Sequence, residues 1–101
     1  MGNRLELQTL LENTLGSRNV YFQPPESIKL KYPCIIYTRN AGTTRYADDL
    51  PYVIRTQYQI TVLDYNPDSE IPGKVAKLQL CRFNRAYTAN NLNHDVFSIY
   101  Y

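Results

Sequence analysis

The chain has 101 residues with no tryptophan, one histidine, two cysteines and four glycines. Each scarcity excludes a kind of chemistry. A metal centre needs several nitrogen, sulfur or oxygen donors at ligand spacing. His94 stands between Asn93 and Asp95, far in sequence from Cys34 and Cys81, so no ligand motif forms. Two thiols in apolar surroundings do not make the disulfide framework of a small secreted domain, and both read as reduced core residues. The glycines are isolated from one another, which leaves neither a phosphate-cradling loop nor a nucleophile elbow. Long hydrophobic runs are missing too. Arg4, Glu6, Gln8 and Glu12 interrupt the first leucines, and no stretch approaches the roughly 18 apolar residues of a membrane span. The chain is therefore expected in the cytoplasm and off the membrane. Charge of one sign is also lacking: eleven Lys and Arg against nine Asp and Glu leave a net +2, too balanced to predict nucleic-acid or membrane binding from overall charge.

What the chain has in quantity is tyrosine, ten residues beside three phenylalanines. Tyrosine suits half-buried sheets and subunit contacts, because its ring is apolar and its hydroxyl tolerates water. With 44% hydrophobic and 20% charged residues, the composition fits one globular domain spanning 1–101. A domain this small leaves much of its surface exposed, which makes self-association a natural source of stability.

From Asn3 to Leu15, leucines at 7, 10, 11 and 15 share one helical face, with Asn3 as N-cap and Gly16 just past the end. Val20-Tyr21-Phe22 reads as a short strand stopped by Pro24-Pro25. Cys34 to Thr38 reads as a strand covered on both faces. Residues 39 to 52 have no steady period and suggest an extended loop or a protruding hairpin. Val53 to Tyr65 is the strongest strand, with Ile54, Tyr58, Ile60 and Val62 on a dry face and Arg55, Gln57, Gln59 and Thr61 on a wet one. A helix is expected from about Ile71 to Leu80 through Ile71, Val75 and Leu78. Strands from Cys81 to Thr88 and Asp95 to Tyr101 close the chain around the turn Ala89 to Asn93. The order α-β-β-β-α-β-β predicts an α+β fold, a mostly antiparallel sheet of about five strands with two helices packed on one face.

Candidate chemistry is sparse. His94 fits a turn or strand-start residue with local hydrogen bonds better than a ligand or general base. Asp48-Asp49 could be a carboxylate pair or cation site, but adjacent side chains on a strand face opposite ways and such a diad in a loop is solvated. Asp64, Asp68 and Glu70 surround Asn66-Pro67 and read as turn and helix-start carboxylates. With no acid, base, nucleophile or ligand constellation, the chain is not read as an enzyme, and no catalytic residue, cofactor or metal is assigned. A nucleic-acid reading would use Lys29, Lys31, Arg82 and Arg85 with Tyr32, Phe83 and Tyr87 as stacking partners. That interleaving is also what any half-exposed strand shows. Tyr37, Tyr46, Tyr52 and Tyr58 cluster around the long loop and fit either core packing or a protein interface, which Thr43, Thr44, Arg45 and Arg55 would suit as well.

Several blocks resemble those of small proteins of the head-to-tail joining region of tailed bacteriophages: 20–27 (VYFQPPES), 29–37 (KLKYPCIIY), 58–62 (YQITV), 64–72 (DYNPDSEIP) and the closing 87–100 (YTANNLNHDVFSIY). The element order is similar to that of tail terminators, also called tail completion proteins. This resemblance implies a structural virion protein, assembled in the host cytoplasm, that forms a homo-oligomeric ring of six-fold symmetry. Such a ring terminates the tail tube and docks the tail to the head connector. It implies three partners: further copies of the chain, the tail tube protein, and a head connector or stopper protein. DNA would pass through the lumen without specific binding. A closed ring needs a heterologous interface, and the expected contributors are Arg45, Tyr46, Asp48, Asp49, Tyr52 and Arg55 reaching a neighbouring subunit. The alternatives are another connector component (stopper, adaptor or minor capsid protein) or a nucleic-acid or protein binding module.

Overall fold

The computed structural model describes residues 4–46 and 54–101, with the backbone alone for 41–46 and 54–55. The order is α1 (Arg4–Leu15), β1 (Val20–Phe22), β2 (Cys34–Tyr46), β3 (Ile54–Asp64), α2 (Ile71–Ala76), β4 (Cys81–Ala89) and β5 (Leu92–Tyr100). The strands form one sheet in the order β1-β2-β3-β5-β4. β1 runs parallel to β2, and every other pairing is antiparallel. This is the expected α+β architecture.

Both helices lie on one face of the sheet. Leu7 and Leu11 of α1 and Val75 of α2 share a core with Val20, Ile35, Tyr37, Tyr58, Ile60, Val62, Phe97 and Ile99. The leucine stripe of α1 turns inward, with Leu10 and Leu15 packed at its margin. Gly16 follows in the left-handed region (φ 85°), where its amide donates to the Glu12 carbonyl at 2.9 Å. Asn3, the expected cap, lies outside the described residues. On the opposite face Cys34, Leu63 and Leu92 form a second, smaller cluster with Tyr21, Leu30 and Ile36. That face is therefore not uniformly wet as expected. Gln57, Gln59 and Thr61 are half-buried, and apolar residues close its other end.

Three boundaries differ from expectation. α2 ends at Ala76 instead of continuing to Leu80. Cys81 already pairs with Ile99, and Leu80 takes a left-handed turn (φ 60°), so the residues after Lys77 are needed to reverse the chain into β4. β2 runs on past Thr38 to Tyr46, which makes residues 39–46 one arm of a hairpin, the second of the two forms expected for that stretch. The last turn is only Asn90-Asn91, with φ 54° and 63°. Asparagine tolerates that conformation and suits a two-residue hairpin, so β5 begins at Leu92, before Asp95.

Candidate functional site

The two edges of the sheet expose very different surfaces. At the β1 edge, the amide of Gln8 on α1 donates to the Val20 carbonyl at 3.0 Å, covering a backbone group directed away from β2. The Tyr37 hydroxyl donates to Gln8 Oε1 at 2.5 Å and accepts from Arg4 Nη1 at 3.4 Å. Burial raises the Tyr37 pKa, and the Arg4 guanidinium opposes that shift. Arg4 also lies 4.7 Å from the centroid of the Phe22 ring, which packs on Tyr37 at 4.9 Å. Beyond β1, Gln23 continues the closure: its amide donates to the Tyr37 carbonyl at 3.0 Å and its side chain accepts from the Arg39 amide at 3.1 Å.

The other edge is β4, exposed at every residue after Cys81. An antiparallel strand bonded on one side leaves about every second backbone N–H and C=O pointing outward. Phe83 is 52% exposed and meets Phe97 edge-on at 5.5 Å. A bulge lies at Asn84: Phe83 pairs with Phe97 and Arg85 with Val96, so one extra residue enters β4 between them. That residue changes the facing of the strand. Arg82 pairs with Ser98 and Arg85 with Val96, two positions apart on β5, so both arginines fall on the face away from the helices. Without the bulge, residues three apart would face opposite ways. The Asn84 side chain donates to Ser98 Oγ at 2.7 Å, which fixes the bulge. Tyr87 joins the same face, stacked on His94 at 4.5 Å with Arg85 5.6 Å from its ring centroid.

Charge is segregated along this part of the chain. Between Glu70 and Asp95 there are four cations, Lys74, Lys77, Arg82 and Arg85, and no carboxylate. Beside this stretch lies an open cleft of about 360 Å³ between the 64–72 loop and the β4–β5 hairpin, lined by Asp64, Pro72, Tyr87, His94 and Asp95 among others. Desolvation raises the Asp95 pKa, and neighbouring His94 partly offsets it. Asp64 accepts the Asn66 amide at 2.9 Å and Asn66 accepts the Asp68 amide at 3.0 Å, so these side chains build the turn. Ser69 Oγ accepts the Ile71 amide at 3.3 Å at the start of α2, where Glu70 makes no side-chain cap.

His94 uses Nδ1 to reach the Leu92 carbonyl at 2.9 Å, the local bond expected of it. No cluster of three or more metal-ligating side chains occurs among the described residues. No described helix is long and apolar enough to cross a membrane. Both thiols are free; burial raises each to a pKa of about 11, with Asp64 adding to the effect at Cys34.

The expected interface residues are only partly brought together. Arg45 and Arg55 are register partners, as are Tyr46 and Ile54, at the end of the β2–β3 ribbon. Thr56 is the last ribbon residue held by the chain end, exchanging backbone bonds with Tyr101 at 3.2 and 3.0 Å. The two pairs beyond it project past the rest of the sheet. Asp48, Asp49 and Tyr52 lie outside the described residues. Tyr37 and Tyr58, which fitted core or interface equally, are core, 0% and 4% exposed. Of the proposed nucleic-acid residues, Arg82, Phe83, Arg85 and Tyr87 share β4, whereas Lys29, Lys31 and Tyr32 belong to the segment before β2, where Tyr32 meets Tyr65 at 5.2 Å.

Sequence reasoning missed the open edge itself. Alternation marked β4 as a strand, and only the strand order shows that it has a single neighbour. The run from Ile71 to His94 without a carboxylate was the available signal. Fold and surface together define a small α+β domain with one sealed edge, one open edge and a projecting ribbon. Comparison with family models, curated proteins and solved structures found no match to the chain.

Proposed function

We propose that the chain is a structural subunit of a homo-oligomeric ring at the head-to-tail joint of a tailed bacteriophage, ending the tail tube and docking the tail to the head connector. One observation supports the ring most directly: the chain carries two unlike surfaces, the β4 edge that no described strand covers and the end of the β2–β3 ribbon, whose last paired residues lie beyond the final backbone contact with Tyr101. Two different patches that meet across each contact make a heterologous interface, which closes into a ring when the rotation permits. The resemblance of the sequence blocks to head-to-tail joining proteins supports the station. The role in this reading is shape and adhesion, and no reaction is assigned.

A stopper, adaptor or minor capsid protein on the head side of the same joint would use the same surfaces. Electron microscopy of particles assembled without this chain separates the stations. Filled heads beside unjoined tails of abnormal length are expected for a terminator, because tube growth has lost its stop. Normal tails beside leaking heads would move the protein to the head side, and intact infectious particles would overturn the virion reading.

The grouping of Arg82, Phe83, Arg85 and Tyr87 on one exposed strand favours a second reading, a nucleic-acid binding surface. Its signature would be binding to single-stranded DNA that weakens steeply with salt.

A further inference from the structure

We infer that the β4 edge is a docking site for an acidic, extended segment of another protein, which joins the sheet as a further strand and sets its carboxylates against Arg82 and Arg85. The inference stands apart from the ring reading, since the edge serves this purpose whether or not copies of the chain close a ring.

The backbone supplies the first half of the fit. The Tyr100 amide donates to the Leu80 carbonyl at 3.2 Å, so these two residues are a bonded pair and, by alternation, Arg82 and Ser98 are the next. From the opposite end, the two-residue turn makes Ala89 and Leu92 a bonded pair, followed by Tyr87 with His94 and Arg85 with Val96. The residues in between, Phe83, Ala86 and Thr88, turn their amides and carbonyls away from β5, to the side where no described strand meets them. Such outward groups are what strand addition uses.

Charge supplies the second half. The Asn84 bulge puts Arg82 and Arg85 on one face, no carboxylate lies between Glu70 and Asp95, and among the described residues neither arginine has an ion-pair partner. Arg82 also borders an open concavity of about 410 Å³, lined by Gln57, Asn84, Ser98 and Tyr100 and by no carboxylate. Its walls are tied in place: Gln57 donates to the Tyr100 hydroxyl at 3.1 Å and Asn84 to Ser98 Oγ at 2.7 Å. A guanidinium beside polar walls suits a carboxylate side chain reaching in from an added strand.

Other occupants fit less well. A second β4 would bring its own Arg82 and Arg85 against this pair, and like charges on neighbouring strands repel. Among the described residues the chain has no acidic strand with a free edge of its own. Glu6 and Glu12 lie on α1, Glu26 follows Pro24-Pro25, the stretch from Asp64 to Glu70 is bonded into a turn, and Asp95 sits between two strands. A nucleic acid would need a ring to stack on, and that of Tyr87 is already engaged by His94 and Arg85.

The test uses the full chain and two end-blocked peptides of about ten residues, the reach of β4, one alternating Thr with Glu and one alternating Thr with Lys. Calorimetry measures binding, and amide hydrogen exchange followed by NMR locates it. The acidic peptide is expected to bind at least roughly tenfold more tightly than the basic one and to slow exchange at Phe83, Ala86 and Thr88. Arg82→Glu with Arg85→Glu should weaken that binding roughly tenfold or more. Ala86→Pro removes an outward donor without touching a bond to β5, and it should also weaken binding strongly. Circular dichroism checks that both variants fold; if Ala86→Pro does not, the exchange pattern of the wild-type chain decides alone. An acidic peptide that fails to bind up to millimolar concentration overturns the inference and leaves the ring reading intact. Binding without protection of the three outward amides, or equal binding of the basic peptide, overturns it too. Self-association of the wild-type chain that protects the same amides assigns the edge to a second copy, which overturns the inference in favour of the ring reading.

Discussion

At one edge of the sheet three residues of β1 are wrapped by α1, so that Gln8 covers the Val20 carbonyl and Val20 itself is core. At the other edge eight of the nine residues of β4 stand exposed, Phe83 and Tyr87 among them. Both are edges of one sheet, yet the first belongs to the interior of the fold and the second to its surroundings. A sealed edge stabilises the monomer, whereas an open edge nine residues long invites another chain. The bulge at Asn84 modifies that openness by interrupting regular pairing and gathering Arg82, Arg85 and Tyr87 on one face.

The largest test of this contrast is a matched pair of substitutions. Val20→Asp on the sealed edge should destabilise the fold by about 3 kcal/mol or more, since it places a charge in the core. Phe83→Asp on the open edge should change stability by less than about 1 kcal/mol. Urea unfolding of both variants measures the difference, and equal losses would mean that β4 is as integral to the core as β1. A smaller effect is expected for Gln8→Ala. It removes the partner of the Val20 carbonyl and of the Tyr37 hydroxyl, for a loss of about 1–3 kcal/mol.

Cys34 and Cys81 sharpen the comparison because one is buried on the face away from the helices and the other starts the open strand. With both raised to a pKa of about 11, each thiol is mostly protonated near pH 8. Alkylation of the native chain at that pH should run roughly a hundredfold slower than in denaturant at both sites. Fast labelling of Cys81 alone would show that the start of β4 opens.

The smallest effect is expected at the cleft beside the open edge. Desolvation raises the Asp95 pKa in the folded state, so the folded chain holds this proton more tightly than the unfolded chain does. The carboxyl therefore favours folding when protonated, and that advantage fades as pH rises through the folded pKa. Asp95→Asn should raise Tm by about 1–2 °C at pH 7 and leave it unchanged near pH 3, as thermal unfolding at the two values would reveal.

Much of the fold was legible from spacing alone. The leucines at 7 and 11, the alternation through Tyr58, Ile60 and Val62, and Gly16 after the first helix all describe local periodicity, and local geometry imposes it wherever the chain folds. The end of α2 was not legible, because apolar spacing through Leu78 continues past the point where the chain must turn toward β5. The ribbon beyond Thr38 was legible only as one of two alternatives, an extended loop or a protruding hairpin. Residues 39–46 lack alternation, and their strand character comes from pairing with β3.

The candidate surface divides the same way. Composition and spacing alone argued for an α+β domain without a metal motif or a catalytic constellation, and they marked tyrosines and arginines as the residues with something to contact. Which of those residues are core and which are free depended on neighbours distant in sequence. Tyr37 and Tyr58 are buried because α1 covers their face, while Tyr87 is exposed because β4 is the last strand of the sheet among the described residues. Arg82 and Arg85 share a face because a single residue bulges between their partners. Periodicity is a property of the chain; burial, edges and register belong to the packing of one segment on another, so only the tertiary structure decided them.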